Sequence, residues 1–269
     1  MAARGWRPDS GRCALVGMVH LAPLPGSPRG GRPVNEIVEL ALADARALVA
    51  GGCDALIVEN MGDLPYLKGH VPPETVASMA LATAAVVELG IPTGVQVLAG
   101  ANRQALGVAV AAGAKFLRVE AFAYGHVADE GWMDASAGPL MRAVAALDAD
   151  VAIWADVQKK HAAHAITGDL ELQALAEGAV FCGADVLIAT GGATGDPTDP
   201  HDVDAIRAAG LPVAVGSGVT AEGAARLASH ADALIVGSAL KYDGDWRQPV
   251  EQARVTRLRA TLDAIQGWS

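Results

Sequence analysis

Short apolar or β-branched runs alternate along the chain with longer stretches in which apolar residues recur three or four positions apart. The short runs, Ala14–Val19, Ala55–Val58, Gly94–Leu98, Phe116–Val119, Val151–Ala155, Val186–Ala189, Val213–Val215 and Ala233–Val236, read as strands. Helical patterns follow them at Asn35–Ala50, Pro73–Leu89, Arg103–Ala112, Pro139–Leu147, Leu170–Cys182, Pro200–Ala209, Ala221–Ala228 and Val250–Ile265. Strands separated by helices of this length pair in parallel through right-handed crossovers. Eight such units in 269 residues predict an α/β fold, a closed (β/α)8 TIM barrel in one domain, with residues 1–12 as a loose N-terminal extension. An internal echo agrees. GGCDALIV, CGADVLIA and HADALIV each place an Asp just before a strand, where it would cap the turn on the barrel's stable face.

Composition narrows the class. Hydrophobic residues make up 52% and aromatics only 4%, which suits buried parallel strands packed against small-residue helices. A net charge of −10 argues against a nucleic-acid surface and against docking on an anionic bilayer. The longest apolar stretch, around Leu81–Leu98, is interrupted by Glu88, Pro92 and Gln96, so no membrane insertion is expected. Cys13, Cys53 and Cys182 are scattered and read as reduced, buried residues; with no leader-like apolar segment, a cytoplasmic protein is expected. The small-residue face of Ala221–Ala228 suits a subunit contact, and a homo-oligomer is expected.

In this fold the chemistry lies at the C-terminal ends of the strands. Strand one ends at His20, strand two at Glu59-Asn60, strand four at Glu120, strand five at Asp156 and strand six at Thr190. The three carboxylates Glu59, Glu120 and Asp156 are the candidate ligands for a divalent metal ion and, equally, candidates for general acid–base work; the cofactor is left open. They can alternatively be neutralised by Arg118 or Lys115. The run Asp156-Val157-Gln158-Lys159-Lys160-His161 is the densest cluster, with Lys160 and His161 as catalytic candidates and Lys159 as a solvent-exposed residue. Strand six, VLIAT, has no lysine, so the usual Schiff-base position of aldolase barrels is missing. His164 would share a helix face with His161, while His70, His126, His201 and His230 read as loop or helix-surface residues. Three long loops, Leu21–Val34, Asn60–Pro72 and Ala121–Gly138, follow strands and would cover the mouth.

The last two strands each stop at Gly-Ser: Gly216-Ser217-Gly218 and Gly237-Ser238, the latter followed closely by Lys241. A strand that hands over to a helix through such residues exposes backbone N–H groups at a positive helix end, a phosphate cradle. The loop Gly191, Gly192 through Asp196 after strand six would add ligand contacts.

The motifs GMVHLAPLPGSP, VENMGDLPY, DVQKKHA, ATGGATGDP, GSGVT and VGSALKYDG, spread from about Val16 to Leu258, resemble the BtpA family with its SgcQ-type bacterial members. The resemblance implies a barrel of the ribulose-phosphate-binding kind and a shared site at His20, Glu59, Asn60, Asp63, Asp156, Lys160 and His161. It also implies departures. LAGANRQ stands where a polar LRND-like run is expected, leaving Asn102 and Arg103 as substitutes; Glu120 and Gly223 each stand where the family has Asn. Two functions follow as expectations. One is an enzyme acting on a phosphorylated sugar or nucleotide-derived molecule, an isomerase, epimerase or lyase. The other is a non-catalytic assembly or stability factor of the photosystem I type associated with one branch of the family.

Overall fold

The computed structural model describes residues 4–9, 11–159, 162–191, 198–216, 218–265 and 267. Eight parallel strands close into a barrel: β1 (Ala14–His20), β2 (Ala55–Glu59), β3 (Thr93–Gln96), β4 (Phe116–Val119), β5 (Ala152–Asp156), β6 (Val186–Ala189), β7 (Val213–Val215) and β8 (Ala233–Val236). β8 pairs back onto β1, Ala233 opposite Ala14, so the sheet has no free edge. The helices α1 (Val34–Ala50), α2 (Pro73–Val87), α3 (Asn102–Ala112), α4 (Ala137–Ala146), α5 (Leu172–Phe181), α6 (Pro200–Arg207), α7 (Ala221–Ala228) and α8 (Gln252–Ile265) follow the strands in turn. Every element expected from the periodicity is present, with ends displaced by at most two residues.

Side chains alternate across each strand, and this divides the core into two. Outward residues such as Leu15, Leu56, Leu117, Ile153 and Leu234 pack against the helices. Inward residues, among them Val16, Ile57, Phe116, Trp154, Ile188 and Ile235, fill the barrel as a separate cluster. The N-terminal segment, expected to be loose, closes the floor of this inner core. The Trp6 ring stacks on Trp154 at 5.4 Å and lies 5.4 Å from Phe116. Its carbonyl accepts the Trp154 indole N–H at 3.2 Å, and Arg4 pairs with Asp185 at 2.8 Å. The segment holds because the inner cluster would otherwise leave two aromatic rings open to water.

The repeated Asp works on that same stable face. Asp54 accepts the Leu15 N–H, Asp185 the Ile153 N–H and Asp232 the Val213 N–H, each at 2.8 or 2.9 Å. Each also meets an arginine: Asp54 with Arg259, Asp185 with Arg4, Asp232 with Arg207. One device therefore ties three loops to the strand beside them.

The mouth carries structure that the periodicity did not predict. The loop after β4 folds into a hairpin, His126–Ala128 with Gly131–Met133, and Ala162–Ala163 from the loop after β5 joins it antiparallel. These strands are only two or three residues long, too short for alternation to register.

Candidate functional site at the barrel mouth

Continuing the inward alternation past the apolar layers turns each strand from hydrocarbon to polar atoms. Two residues beyond Met18 is His20, beyond Ile57 is Glu59, beyond Trp154 is Asp156, beyond Ile188 is Thr190 and beyond Ile235 is Gly237. β4 goes polar one step lower, placing Arg118 two residues after Phe116 and Glu120 two further on. With Gln96 from β3 and Gly216 after β7, these residues line a cavity of about 780 Å³ over the inner core.

Arg118 and Asp156 form a two-pronged pair, both contacts 3.1 Å, with both side chains almost fully buried. The bidentate geometry compensates the cost of burying both charges. Glu59 Oε2 lies 3.5 Å from His20 Nε2. Glu120 accepts the Gly100 N–H at 2.9 Å, and the Lys159 ammonium lies 3.7 Å from its other oxygen and 2.9 Å from Glu130. Burial pushes the Glu120 carboxyl up to about 7, outweighing the opposing pull of Lys159, with Asp156 adding to the rise. Burial acts to lower the Lys159 ammonium, but Glu120 and Glu130 outweigh it and hold it above its ordinary value.

Lys159 therefore departs from the exposed residue expected: the hairpin turn after β4 brings Glu130 over the mouth and draws the ammonium in beneath it. His126 departs as well. It opens the first strand of the hairpin and is buried there, its ring 5.2 Å from His164, and desolvation followed by repulsion from His164 and Lys159 drives it down to about 4. The helix expected to carry His164 is not formed: Ala162 and Ala163 are extended and His164 only precedes a single 3-10 turn, Ala165–Thr167.

Three residues expected to bind ligand do other work. Asn60 accepts the Leu98 N–H at 2.7 Å and donates to Asp63, which in turn accepts the Leu24 N–H at 2.8 Å. Together they lock the loops after β1, β2 and β3, behind the cavity rather than in it. Lys241 is 2% exposed, and its ammonium sits 2.6 Å from Asp44 of α1. It is absent from the cavity lining and faces α1, where Asp44 also takes the Val250 N–H and so anchors the chain entering α8. Asn102, the substitute after strand three, donates to the Glu120 carbonyl and to Ser136, bracing the start of the loop after β4.

At the other side of the mouth, Gly216, Gly218, Gly237 and Ser238 line the cavity, as does Thr190, whose hydroxyl donates to the Gln158 carbonyl at 2.6 Å. α7 begins just after Gly218 with Thr220 capping the Gly223 N–H, whereas Ser238 opens only a single 3-10 turn, Ser238–Leu240. The glycines are required by their neighbours: a Cβ on Gly216 would lie 3.1 Å from Arg118 Nη2 and 2.6 Å from Ile188, and one on Gly237 would lie 2.8 Å from His20. Gly191 follows β6 outside the cavity lining. Lys160, His161, Gly192, Asp196 and Ser217 lie outside the described residues.

The carboxylates do not gather around one point, since Asp156 faces Arg118 and Glu120 faces Gly100 and Lys159. Among the described residues no three His, Cys, Asp or Glu are close enough to share a metal ion. The cavity wall also holds Gln96, Trp246, Tyr66 and Glu130, which the strand-end pattern did not single out. Gln96 was legible from the alternation; Trp246 comes from an irregular loop with no periodic signal.

The sequence model of the BtpA family matches residues 12–263. The chain belongs to the BtpA family. An uncharacterized mitochondrial protein of Caenorhabditis elegans is 38% identical over 96% of both chains. The photosystem I biogenesis protein BtpA of Synechocystis is 38% identical over 90% of this chain and 85% of its own. Among solved structures, orotidine 5'-monophosphate decarboxylase of Methanocaldococcus jannaschii with the inhibitor BMP superposes with a TM-score of 0.61, 15% identity, and coverage of 94% and 99%. The likeness is one of fold: this chain and that decarboxylase share the barrel. Among the described residues no helix of this BtpA-family chain is long and apolar enough to cross a membrane.

Proposed function

We propose that this chain is an enzyme that acts on a phosphorylated small molecule, a sugar phosphate or nucleotide-derived metabolite, by acid–base chemistry at the barrel mouth. The observation that carries the reading is Glu120. A buried carboxyl brought to about 7 is half protonated at neutral pH and can both give and take a proton. Lys159, 3.7 Å away, stabilises its anion once the proton has left, and Glu59 with His20 supplies a second proton-transfer pair in the same cavity. Lys160 and His161 follow Lys159 directly in the chain and join this set in the proposal. The ligand's phosphate is assigned to the ends of β7 and β8, where Gly218, Gly237 and Ser238 line the cavity beside Gly216, whose own N–H is taken by the Ala189 carbonyl. Such a division of labour supports isomerisation, epimerisation or bond cleavage next to a carbonyl. The likeness to a nucleotide-acting barrel supports the reading through fold alone.

The alternative, an assembly or stability factor, draws on the name of the Synechocystis relative. A protein of that kind has no need of a desolvated carboxyl beside an ammonium in a large cavity. The two readings separate in one experiment: thermal melting of the purified protein against sugar phosphates, nucleotides and inorganic phosphate. A midpoint that rises with ligand concentration and loses that rise in Ser238→Asp supports the enzyme. No rise with any phosphate, together with stoichiometric co-purification of a protein partner, supports the assembly factor.

A further inference from the structure

The cavity is lined by six carboxylates, Glu59, Glu120, Asp129, Glu130, Asp156 and Asp245, against two fixed cations, Arg118 and Lys159. Both cations are already matched: Arg118 by both oxygens of Asp156, Lys159 by Glu120 and Glu130. An acidic ligand head would therefore find no unmatched ammonium or guanidinium among the described residues and would meet carboxylate oxygens instead. Gln96 adds an independent sign. It lies at the end of β3, in register with Glu59, and is 2% exposed. Its Oε1 is buried on the cavity wall and has no hydrogen-bond partner among the described residues. A buried amide oxygen left unmatched costs free energy that a donor on a ligand would recover.

We propose that the mouth selects phosphorylated ligands whose head group presents hydroxyl hydrogens and carries no carboxylate, with Gln96 accepting one of those hydrogens. This rests on the reading of the mouth as a phosphate-ligand site. A polyhydroxy head suits the wall, because the Gln96 amide oxygen and every ionised carboxylate accept its hydroxyl hydrogens, and a hydroxyl oxygen also accepts the hydrogen of Glu120 in its protonated form. The cavity volume accommodates a sugar phosphate or a nucleoside monophosphate. A carboxylate at the same position would face like charge from the carboxylates of the cavity wall.

The test is calorimetric titration of the full chain with matched pairs that differ by a carboxylate: glucose 6-phosphate against 6-phosphogluconate, and uridine against orotidine 5'-monophosphate, with inorganic phosphate as reference. The neutral-headed member of at least one pair is expected to bind ten-fold or more tighter than both its acidic partner and inorganic phosphate. Gln96→Leu is expected to weaken the neutral-headed ligand several-fold while leaving the inorganic phosphate affinity and the rejection of the acidic partner unchanged. Because it replaces an unmatched polar atom by hydrocarbon, its melting midpoint should equal or exceed the parent's; Gln96→Met repeats the test with a more adaptable side chain. Acidic partners that bind as tightly as neutral ones, or a neutral-ligand affinity that is unchanged in both variants, would overturn the inference and leave the phosphate site standing. Failure of every phosphate, inorganic phosphate included, would instead remove the phosphate site on which it rests.

Discussion

Replacing Glu120 by Gln separates the cost of the proposed acid–base group from its use. The carboxyl is raised from an ordinary 4.5 to about 7 because burial disfavours its ionised form. The folded chain thus holds this proton more tightly than the unfolded chain does. The stabilisation from that proton is complete below pH 4.5, declines as pH rises towards 7, and is gone above it. At about 1.4 kcal/mol per pH unit the loss amounts to about 3 kcal/mol. Gln keeps an oxygen for the Gly100 N–H and does not ionise, and Lys159 retains Glu130. Relative to the parent, Glu120→Gln should therefore gain about 3 kcal/mol between pH 4.5 and pH 8, which for a chain of this size raises the difference in melting midpoint by about 6 °C. Calorimetric melts of both proteins across that range provide the measurement. A difference that stays flat, or that falls as pH rises, would mean that Glu120 is ionised throughout and unsuited to proton transfer.

Other substitutions probe the scaffold. Arg118→Met leaves Asp156 buried without its partner and should cost about 3–5 kcal/mol, read from urea unfolding. Lys241→Met should cost about 3 kcal/mol by stranding Asp44, yet leave phosphate binding intact, since Lys241 faces α1 rather than the mouth. Trp6→Ala opens the floor of the inner core beneath Trp154 and Phe116 and should cost about 2–3 kcal/mol, somewhat less than for a fully buried ring, with the far mouth unaffected.

The barrel was legible because its long helices and repeated strands obey two simple periods, and because the Asp-containing echo recurs before three strands. The site was legible only where strand ends placed polar residues. His20, Glu59, Glu120 and Asp156 followed from position alone. Arg118 and Gln96 lie on the same inward rows but look like interruptions of apolar strands until alternation is carried through them. Asn60, Asp63 and Lys241 occupy equally suggestive places, and only contacts across 38 to 197 residues of sequence reveal that they hold loops and helices together. The role of Lys159 depends on a hairpin of three-residue strands, whose formation reflects tertiary packing against the barrel more than local preference.

A crystal structure of the protein soaked with inorganic phosphate decides whether the mouth is a phosphate site. One ordered phosphate is expected between the ends of β7 and β8, beside Gly218 and Gly237–Ser238, facing Glu120 across the cavity. Phosphate found only on the outer surface, with the mouth filled by water at saturating concentration, would contradict it.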